Sequence, residues 1–113
     1  MDFFSVETPM RGLQGDTFPP FYVIVNDMDT AECDMRIVLE PKYTPGEASF
    51  VKDCDHFTRY DGAKGFRVQL GSAETAGLSG TYTMHFIMTD EDDREYRKLV
   101  GTLEVLPVPT EVV

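Results

Sequence analysis

Apolar and polar residues alternate with a period of two along much of this chain. Such alternation places successive side chains on opposite faces of a β-strand, so that one face can be buried. Two segments, residues 2–7 and 48–53, carry the pattern weakly. Five segments carry it clearly: residues 21–27, 35–42, 66–70, 81–89 and 97–106. The pattern therefore predicts about seven strands.

Short turn-forming sequences separate these segments. They are "NDMD", "PKYTPGE", "YDGAKG", "GLSG" and "TDEDD", and Gly, Pro, Asn and Asp are the residues that favour turns. No segment has the length of a long helix, and a parallel α/β sheet would need helical crossovers between its strands. We therefore predict an all-β fold, an antiparallel sandwich of two sheets.

One segment between two predicted strands looks helical. The sequence "SAETAGL", residues 72–78, is too short for an independent helix, but Ser72 could cap a single turn and Glu74 suits its first turn. Leu78 would then enter the core, and Gly80 would permit a left-handed turn before the next strand. We predict a one-turn helix that covers the open end of the core.

Several strands carry a β-branched apolar residue on the face predicted to point outward. The three that concern us are Val38, Ile87 and Val100. If their strands are neighbours in one sheet, these side chains form one apolar patch, which marks a contact surface. If their strands are not neighbours, they are scattered exposed residues, which are normal. The same alternation assigns Leu99 to the core face.

The length of the chain limits the number of domains, and its net charge limits the kinds of partner it can bind. A chain of 113 residues fits one domain, which we place at residues 1–106, with a tail at 107–113 that two prolines keep from strand pairing. The net charge of −10 disfavours nucleic acid and anionic membranes as partners. It maintains solubility or steers the protein toward a basic partner. No signal peptide or membrane span is evident, so we expect a cytoplasmic protein.

Candidate catalytic and metal-binding residues are few. The two histidines are His56 and His85, and nucleophilic catalysis needs a base close to its nucleophile. Cys54 and His56 alone are too few ligands for a structural zinc ion. Acidic residues cluster at 27–32 and 90–95, without the spacing of a calcium-binding loop, and a weak calcium site there stays open. We predict no enzymatic activity and no cofactor.

Three groups of residues occur in a distinctive order. Gly15, Asp16 and Thr17 precede the first core strand, a second group surrounds the helical turn, and the last group lies in the final strand. The second group is Glu74, Thr75, Leu78, Gly80 and Tyr82, and the last is Gly101, Leu103 and Val105. In this order, over about residues 12–106, the chain resembles the N-terminal domain of baseplate upper proteins from phages and prophages of Gram-positive hosts.

This resemblance implies an immunoglobulin-like antiparallel β-sandwich of about seven strands, with a one-turn helix before the penultimate strand. It also implies a non-enzymatic structural role in a phage or prophage particle, in the baseplate or associated with the tail. The expected partners are other virion proteins or a second copy of the chain in a homo-oligomer. The expected location is the virion, and the cytoplasm of the bacterial host before assembly.

A different functional class stays open. Tyr43, Phe57 and Tyr60 fall in or near predicted loops, and aromatic rings at the end of a sandwich could stack on sugars. The alternative function is therefore a carbohydrate- or ligand-binding β-sandwich. A structural explanation of the same residues is that they cover the core.

Overall fold

The structure, a computed structural model, describes residues 4–7, 11–26, 29–43 and 48–107. The described residues form nine strands and one short helix. These are β1 (Phe4–Glu7), β2 (Arg11–Leu13), β3 (Phe21–Val25), β4 (Asp34–Pro41), β5 (Phe50–Asp53), β6 (Asp55–Thr58), β7 (Lys64–Val68), α1 (Ser72–Ala76), β8 (Gly80–Thr89) and β9 (Glu95–Leu106). The all-β prediction is confirmed, as is the helix before the penultimate strand. The alternation predicts seven of these strands and misses β2 and β6.

The strands form two sheets that pack face to face. Their orders are β1-β3-β7-β6 and β2-β9-β8-β4-β5. The core lies between them, where Phe21 of the four-stranded sheet meets Phe86 of the five-stranded sheet edge to face, with ring centroids 6.4 Å apart. Ile37 and Leu39 are fully buried at the alternate positions of β4 that the sequence predicts.

Strands β2 and β9 run parallel, with Arg11 opposite Glu104 and Leu13 opposite Leu106. The expectation of a purely antiparallel sandwich is therefore wrong at this pair. The reason is that the start of the chain divides between the sheets: β1 pairs with β3, and β2 joins the edge of the other sheet. Strand β2 has only three residues, too few to produce a visible alternation.

The chain changes sheets again between β5 and β6. Strand β5 pairs with β4 in one sheet, and β6 pairs with β7 in the other. Cys54 lies between the two strands, and its backbone N–H donates a hydrogen bond to the Met35 carbonyl oxygen at 2.8 Å. Because β5 and β6 belong to different sheets, no single alternation runs through residues 50–58, and the sequence pattern does not predict β6.

Strand β9 contains a β-bulge at Val100. Leu99 is opposite His85 and Gly101 is opposite Met84, so Val100 is the extra residue. The bulge shifts the alternation by one position. Val100 packs against the core, whereas Leu99 points outward and is 60% exposed. The assignment from the sequence, with Leu99 in the core and Val100 outside, is wrong because the bulge reverses both.

Helix α1 is capped by Gly71 rather than by Ser72, so the predicted cap is wrong by one residue. The Gly71 N–H donates to the Glu74 carboxylate at 2.9 Å. The helix covers one end of the core as predicted: Leu78 is buried in the core cluster, and Gly80 has a φ of 93°. This positive φ favours glycine at the start of β8.

In the described part of the chain, no helix is long and apolar enough to cross a bilayer. Strand β9 ends at Leu106. Apart from Pro107, the predicted tail lies outside the described residues.

Candidate interaction face of the five-stranded sheet

The outer face of the five-stranded sheet carries a row of mostly apolar side chains across four strands. Val51 of β5 is opposite Val38 of β4, which is opposite His85 of β8, which is opposite Leu99 of β9. We call these four residues the central row. Its two ends, Val51 and Leu99, are 53% and 60% exposed. The row therefore presents two exposed apolar side chains, and the two residues between them, Val38 and His85, are less exposed.

Val38 and Ile87 lie on the outer face of neighbouring strands, where the sequence places them, but both are largely covered. Val38 is only 9% exposed. Beside Ile87, Arg36 of β4 reaches across β8 to Glu95 of β9, and its Nη2 atom lies 3.0 Å from the Glu95 carboxylate. The aliphatic stem of an arginine can shield an apolar neighbour in this way.

Val100, the third residue of the predicted patch, does not lie on this face, because the bulge turns it toward the core. Leu99 takes its place in the register. Sequence reasoning missed Leu99 and Val51 as members of the face. Two signals in the sequence could have identified them. Gly101 lies inside a strand, where a glycine often marks a bulge, and the alternation within "FVKD" places Val51 and Phe50 on opposite faces of the strand.

His85 is the polar member of the central row. Its side chain is 14% exposed, and neither ring nitrogen has a hydrogen-bond partner among the described residues. The Glu40 carboxylate lies 3.6 Å from the Nε2 atom, too far for a hydrogen bond. Both nitrogens are buried within the chain, so the part of the ring that reaches the outer face is carbon.

Charged side chains surround the central row and are partly paired within the chain. Besides the Arg36–Glu95 pair, Arg11 of β2 lies 3.2 Å from Glu104 of β9. Both pairs link neighbouring or next-neighbouring strands across the outer face. The face is thus an apolar centre between ordered polar margins, which is the general arrangement of a protein–protein contact surface.

The three aromatic residues of the predicted ligand loops do not come together. Phe57 lies in β6, not in a loop, and its ring packs against that of Tyr22 with centroids 4.8 Å apart and planes inclined by 53°. Tyr43 follows β4, which ends opposite Tyr82 beside the helix. Tyr60 lies in the β6–β7 turn and is 98% exposed, at the end of the sandwich away from α1. The two exposed tyrosines therefore lie at opposite ends.

The two acidic turns meet at the end of the sandwich away from α1. They line an open cleft of about 240 Å³ with Asp29, Glu32, Asp90, Glu91 and Asp92, together with Cys33 and Arg94. Among the described residues, no group of three or more His, Cys, Asp or Glu side chains is arranged to hold a metal ion. Asp27, which belongs to the first acidic cluster, lies outside the described residues.

Asp90 has an internal role in this acidic region. Its Oδ1 atom accepts hydrogen bonds from the backbone N–H groups of Asp92 and Arg94, each at 2.9 Å, and its Oδ2 atom accepts one from the Tyr96 hydroxyl at 3.0 Å. Desolvation raises the pKa of Asp90, but these hydrogen bonds outweigh it and hold the pKa below its ordinary value. Asp90 therefore organises the β8–β9 turn.

The candidate catalytic residues are dispersed. His56 lies in β6 of the four-stranded sheet, with its ring 4.9 Å from that of Phe66, whereas His85 lies in β8 of the other sheet. Burial raises the pKa of the Cys54 thiol to about 12, which opposes the thiolate form that a nucleophile needs. Cys33 is also a free thiol, and it is buried.

No protein-family model matches this chain, and no curated protein matches it.

Proposed function

We propose that this chain is a non-enzymatic, immunoglobulin-like module that acts through protein–protein contacts in a phage or prophage particle. The single observation that carries the contact role is the central row, with exposed Val51 and Leu99 at its ends. The resemblance to baseplate upper proteins supports the place of the module in a particle.

The strand order supports the immunoglobulin-like part of the proposal. In immunoglobulin domains one sheet has the order A-B-E-D, and the other contains strands C, F and G, with C′ beside C in variable-type domains. If β3, β4 and β8 are strands B, C and F, the sheet β1-β3-β7-β6 follows the first order. The sheet β2-β9-β8-β4-β5 then contains G, F, C and C′ in sequence.

A hydrogen bond near the start of β8 supports the same comparison. The Tyr82 hydroxyl accepts a hydrogen bond from the Ser79 backbone N–H at 2.8 Å. A tyrosine near the start of strand F whose hydroxyl bonds to the backbone a few residues upstream is the tyrosine corner of immunoglobulin-like domains. Tyr82 and its neighbours Leu78 and Gly80 are also residues that carry the resemblance to the baseplate domains.

The outer face suits contact with another protein better than contact with a small ligand. It is a sheet surface with an apolar centre and charged margins, and the central row crosses four strands. Val51 and Leu99 are the exposed apolar side chains of this row, and apolar surface on a sheet face favours contact with another protein. Strands also form a rigid support, so the face needs little reorganisation on binding.

Analysis of purified particles tests the particle role. Particles from the phage or lysogen that encodes the chain would be banded on a density gradient and examined by quantitative mass spectrometry. We expect the chain at a fixed ratio to the tail proteins after repeated washing. Its absence from intact, infectious particles, combined with its presence in the cell lysate, would contradict the particle role.

The second candidate function, sugar or ligand binding, has one supporting observation. Tyr60 is 98% exposed, in a turn where Arg59 and Asp61 form two hydrogen bonds of 2.9 and 2.7 Å. An aromatic ring on an ordered turn could stack on a sugar. A glycan array would test this function: binding that Tyr60→Ala removes and Tyr43→Ala leaves unchanged supports it, and a blank array opposes it.

A further inference from the structure

We propose that the outer face of the five-stranded sheet binds the same face of a second copy of this chain, with each β4 strand antiparallel to its copy. The proposal rests on the proposed function in one respect, because it names the partner of the same contact face. The evidence for this partner is the order of charged side chains along β4.

The outward side chains of β4 alternate in charge about a central valine. Lys42 extends the series beyond the end of the strand, because its N–H donates to the Thr81 carbonyl oxygen at 3.0 Å and continues the ladder with β8. Alternation then places five side chains on the outer face. They are Asp34, Arg36, Val38, Glu40 and Lys42. Arg36 and Glu40 lie two residues from Val38 on opposite sides, and Asp34 and Lys42 lie four residues from it on opposite sides. Each acidic residue therefore has a basic residue at the same distance on the other side of Val38.

Two-fold symmetry turns this order into complementary contacts. In a face-to-face dimer the axis lies in the plane of the interface, and the same patch is used twice. If the axis runs along the central row, each strand faces its own copy in the antiparallel sense. Arg36 then faces Glu40 of the second copy, and Asp34 faces Lys42 of the second copy. Each contact occurs twice, and Val38 faces itself.

The other simple arrangement brings like charges together. A two-fold axis along β8 would place β4 over β9 of the second copy. By register, Arg36 would face Arg97 and Asp34 would face Glu95, against one attractive pair, Lys42 facing Glu104. Like charges across an interface oppose association. The charge pattern therefore selects the axis along the central row.

His85 lies on the selected axis and faces its own copy. Both ring nitrogens are buried within the chain, so the exposed part of the ring consists of carbon atoms. Two such ring edges can meet as an apolar contact on the axis. The least favourable pair in this arrangement is Glu95 facing Glu104, but each of these carboxylates already has an arginine partner in its own chain.

The outer face is nearly neutral in a strongly acidic protein. The chain has 20 acidic and 10 basic residues, but this face holds five acidic and four basic side chains. They are Asp34, Glu40, Asp53, Glu95 and Glu104, with Arg11, Arg36, Lys42 and Arg97. Two copies can therefore approach through this face with less repulsion than through the rest of their surfaces.

The face has the size of a modest protein–protein contact. Strands β4, β8 and β9 have at least eight residues each, whereas β5 has four and β2 has three. At about 4.8 Å between strands and about 3.4 Å per residue, with eight residues counted in each long strand, the projected area is on the order of 500 Å². A standard protein–protein interface buries about 800 Å² of accessible surface on each partner, and side chains add to the projected area.

Charge reversal in single and mixed variants tests the arrangement. The dimer dissociation constant would be measured by sedimentation equilibrium for wild type, Arg36→Glu and Glu40→Arg. Each variant replaces two attractive contacts with two repulsive ones, so we expect each to weaken the homodimer at least about tenfold. An equimolar mixture should form a heterodimer, because both acidic positions of the Arg36→Glu chain then face arginines of the Glu40→Arg chain.

Arg97→Glu is the matched control. It changes the charge by the same amount on the same face, but in the proposed arrangement it faces Thr102 of the second copy, so the homodimer should change less than about threefold. Asp34→Lys and Lys42→Asp form a second pair of variants that breaks none of the ion pairs described above. Circular dichroism before and after mixing confirms that each variant is folded.

Each outcome decides the proposal. A homodimer weakened by both single variants and recovered in the mixture supports it. A wild-type monomer up to about 1 mM, or single variants that do not recover when mixed, overturns it. A monomer that is nevertheless a fixed component of purified particles would overturn the self-association alone. A charge-dependent dimer absent from purified particles would overturn the particle role alone.

Discussion

Thr75 illustrates how one side chain can join distant parts of this fold. It is fully buried in α1, its hydroxyl donates to the Asp16 carbonyl oxygen at 2.6 Å, and it accepts from the Gly15 N–H at 3.1 Å. Both partners lie in the connection between β2 and β3. The "Gly-Asp-Thr" and "Glu-Thr" groups of the sequence are thus in direct contact.

Replacing Thr75 with valine should therefore destabilise the fold. Valine keeps the shape of threonine but leaves the Gly15 N–H and the Asp16 carbonyl oxygen without their partner, so we expect the free energy of unfolding to fall by about 1–3 kcal/mol. Urea denaturation followed by circular dichroism measures the change. Ser72→Ala, at an exposed position of the same helix, should change it by less than about 0.5 kcal/mol. Equal effects of the two substitutions would contradict the role of Thr75.

The two cysteines should react slowly in the folded protein. Burial raises the pKa of Cys33, and burial raises the pKa of Cys54 to about 12. At pH 8 a thiol with that pKa is ionised in roughly one molecule in ten thousand, so Cys54 should react with a disulfide reagent at least about 100-fold more slowly than a free cysteine. Guanidinium chloride should restore fast reaction of both thiols. Cys33→Ala and Cys54→Ala assign each rate, and a fast thiol in the native state would contradict the prediction.

Among the strands, β9 determines which residues reach the candidate face. Its bulge turns Val100 inward and Leu99 outward. Gly101, with a φ of 134°, adopts a backbone conformation that other residues rarely adopt. The element therefore changes faces in the middle, and a single period of two describes each half but not the whole strand.

A pair of glutamate substitutions tests this change of face. Val100→Glu brings a charge toward the core and should lower the free energy of unfolding by about 2 kcal/mol or more. Leu99→Glu alters an exposed position and should lower it by less than about 0.5 kcal/mol. The measurement is urea denaturation at a concentration where the chain is monomeric. A larger loss for Leu99→Glu than for Val100→Glu would contradict the bulge.

In the molecule as a whole, Lys52 connects the two sheets at the helix end. Its Nζ atom donates to the Gln69 carbonyl oxygen at 2.7 Å and to the Glu74 carboxylate at 2.6 Å. Lys52 belongs to β5 of the five-stranded sheet, while Gln69 follows β7 of the four-stranded sheet. The hydrogen bond from Lys52 holds the pKa of Glu74 below its ordinary value of 4.5.

This link predicts part of the acid sensitivity of the fold. Because the folded-state pKa of Glu74 is lowered, its contribution to stability is present above pH 4.5 and is lost as the pH falls through the folded-state value. Glu74→Gln should therefore reduce the loss of stability between neutral pH and the acid range. Thermal unfolding across a pH series measures the difference, with Glu91→Gln in the acidic turn as control. Parallel pH profiles for wild type and Glu74→Gln would contradict the role of this carboxylate.

The sequence was sufficient for the elements that repeat a simple period. Strands β3, β4, β7 and β8 keep one face in the core over their whole length, so alternation predicts them and their buried residues. The helical turn at 72–78 was predictable for a different reason, since Glu74 suits the first turn of a helix. For the candidate site, the sequence placed Val38 and Ile87 on the outward face of their strands.

The remaining features depend on contacts between distant residues. The parallel pairing of β2 and the change of sheet at Cys54 are properties of strand pairs, and no local pattern encodes which partner a short segment meets. A glycine inside β9 indicates a bulge, but only the pairing with β8 makes Val100 the extra residue. The central row exists because the register aligns Val51, Val38, His85 and Leu99, residues that are far apart in the chain. Alternation within a strand follows from local backbone geometry, but the alignment of one strand against another follows from packing of the entire core.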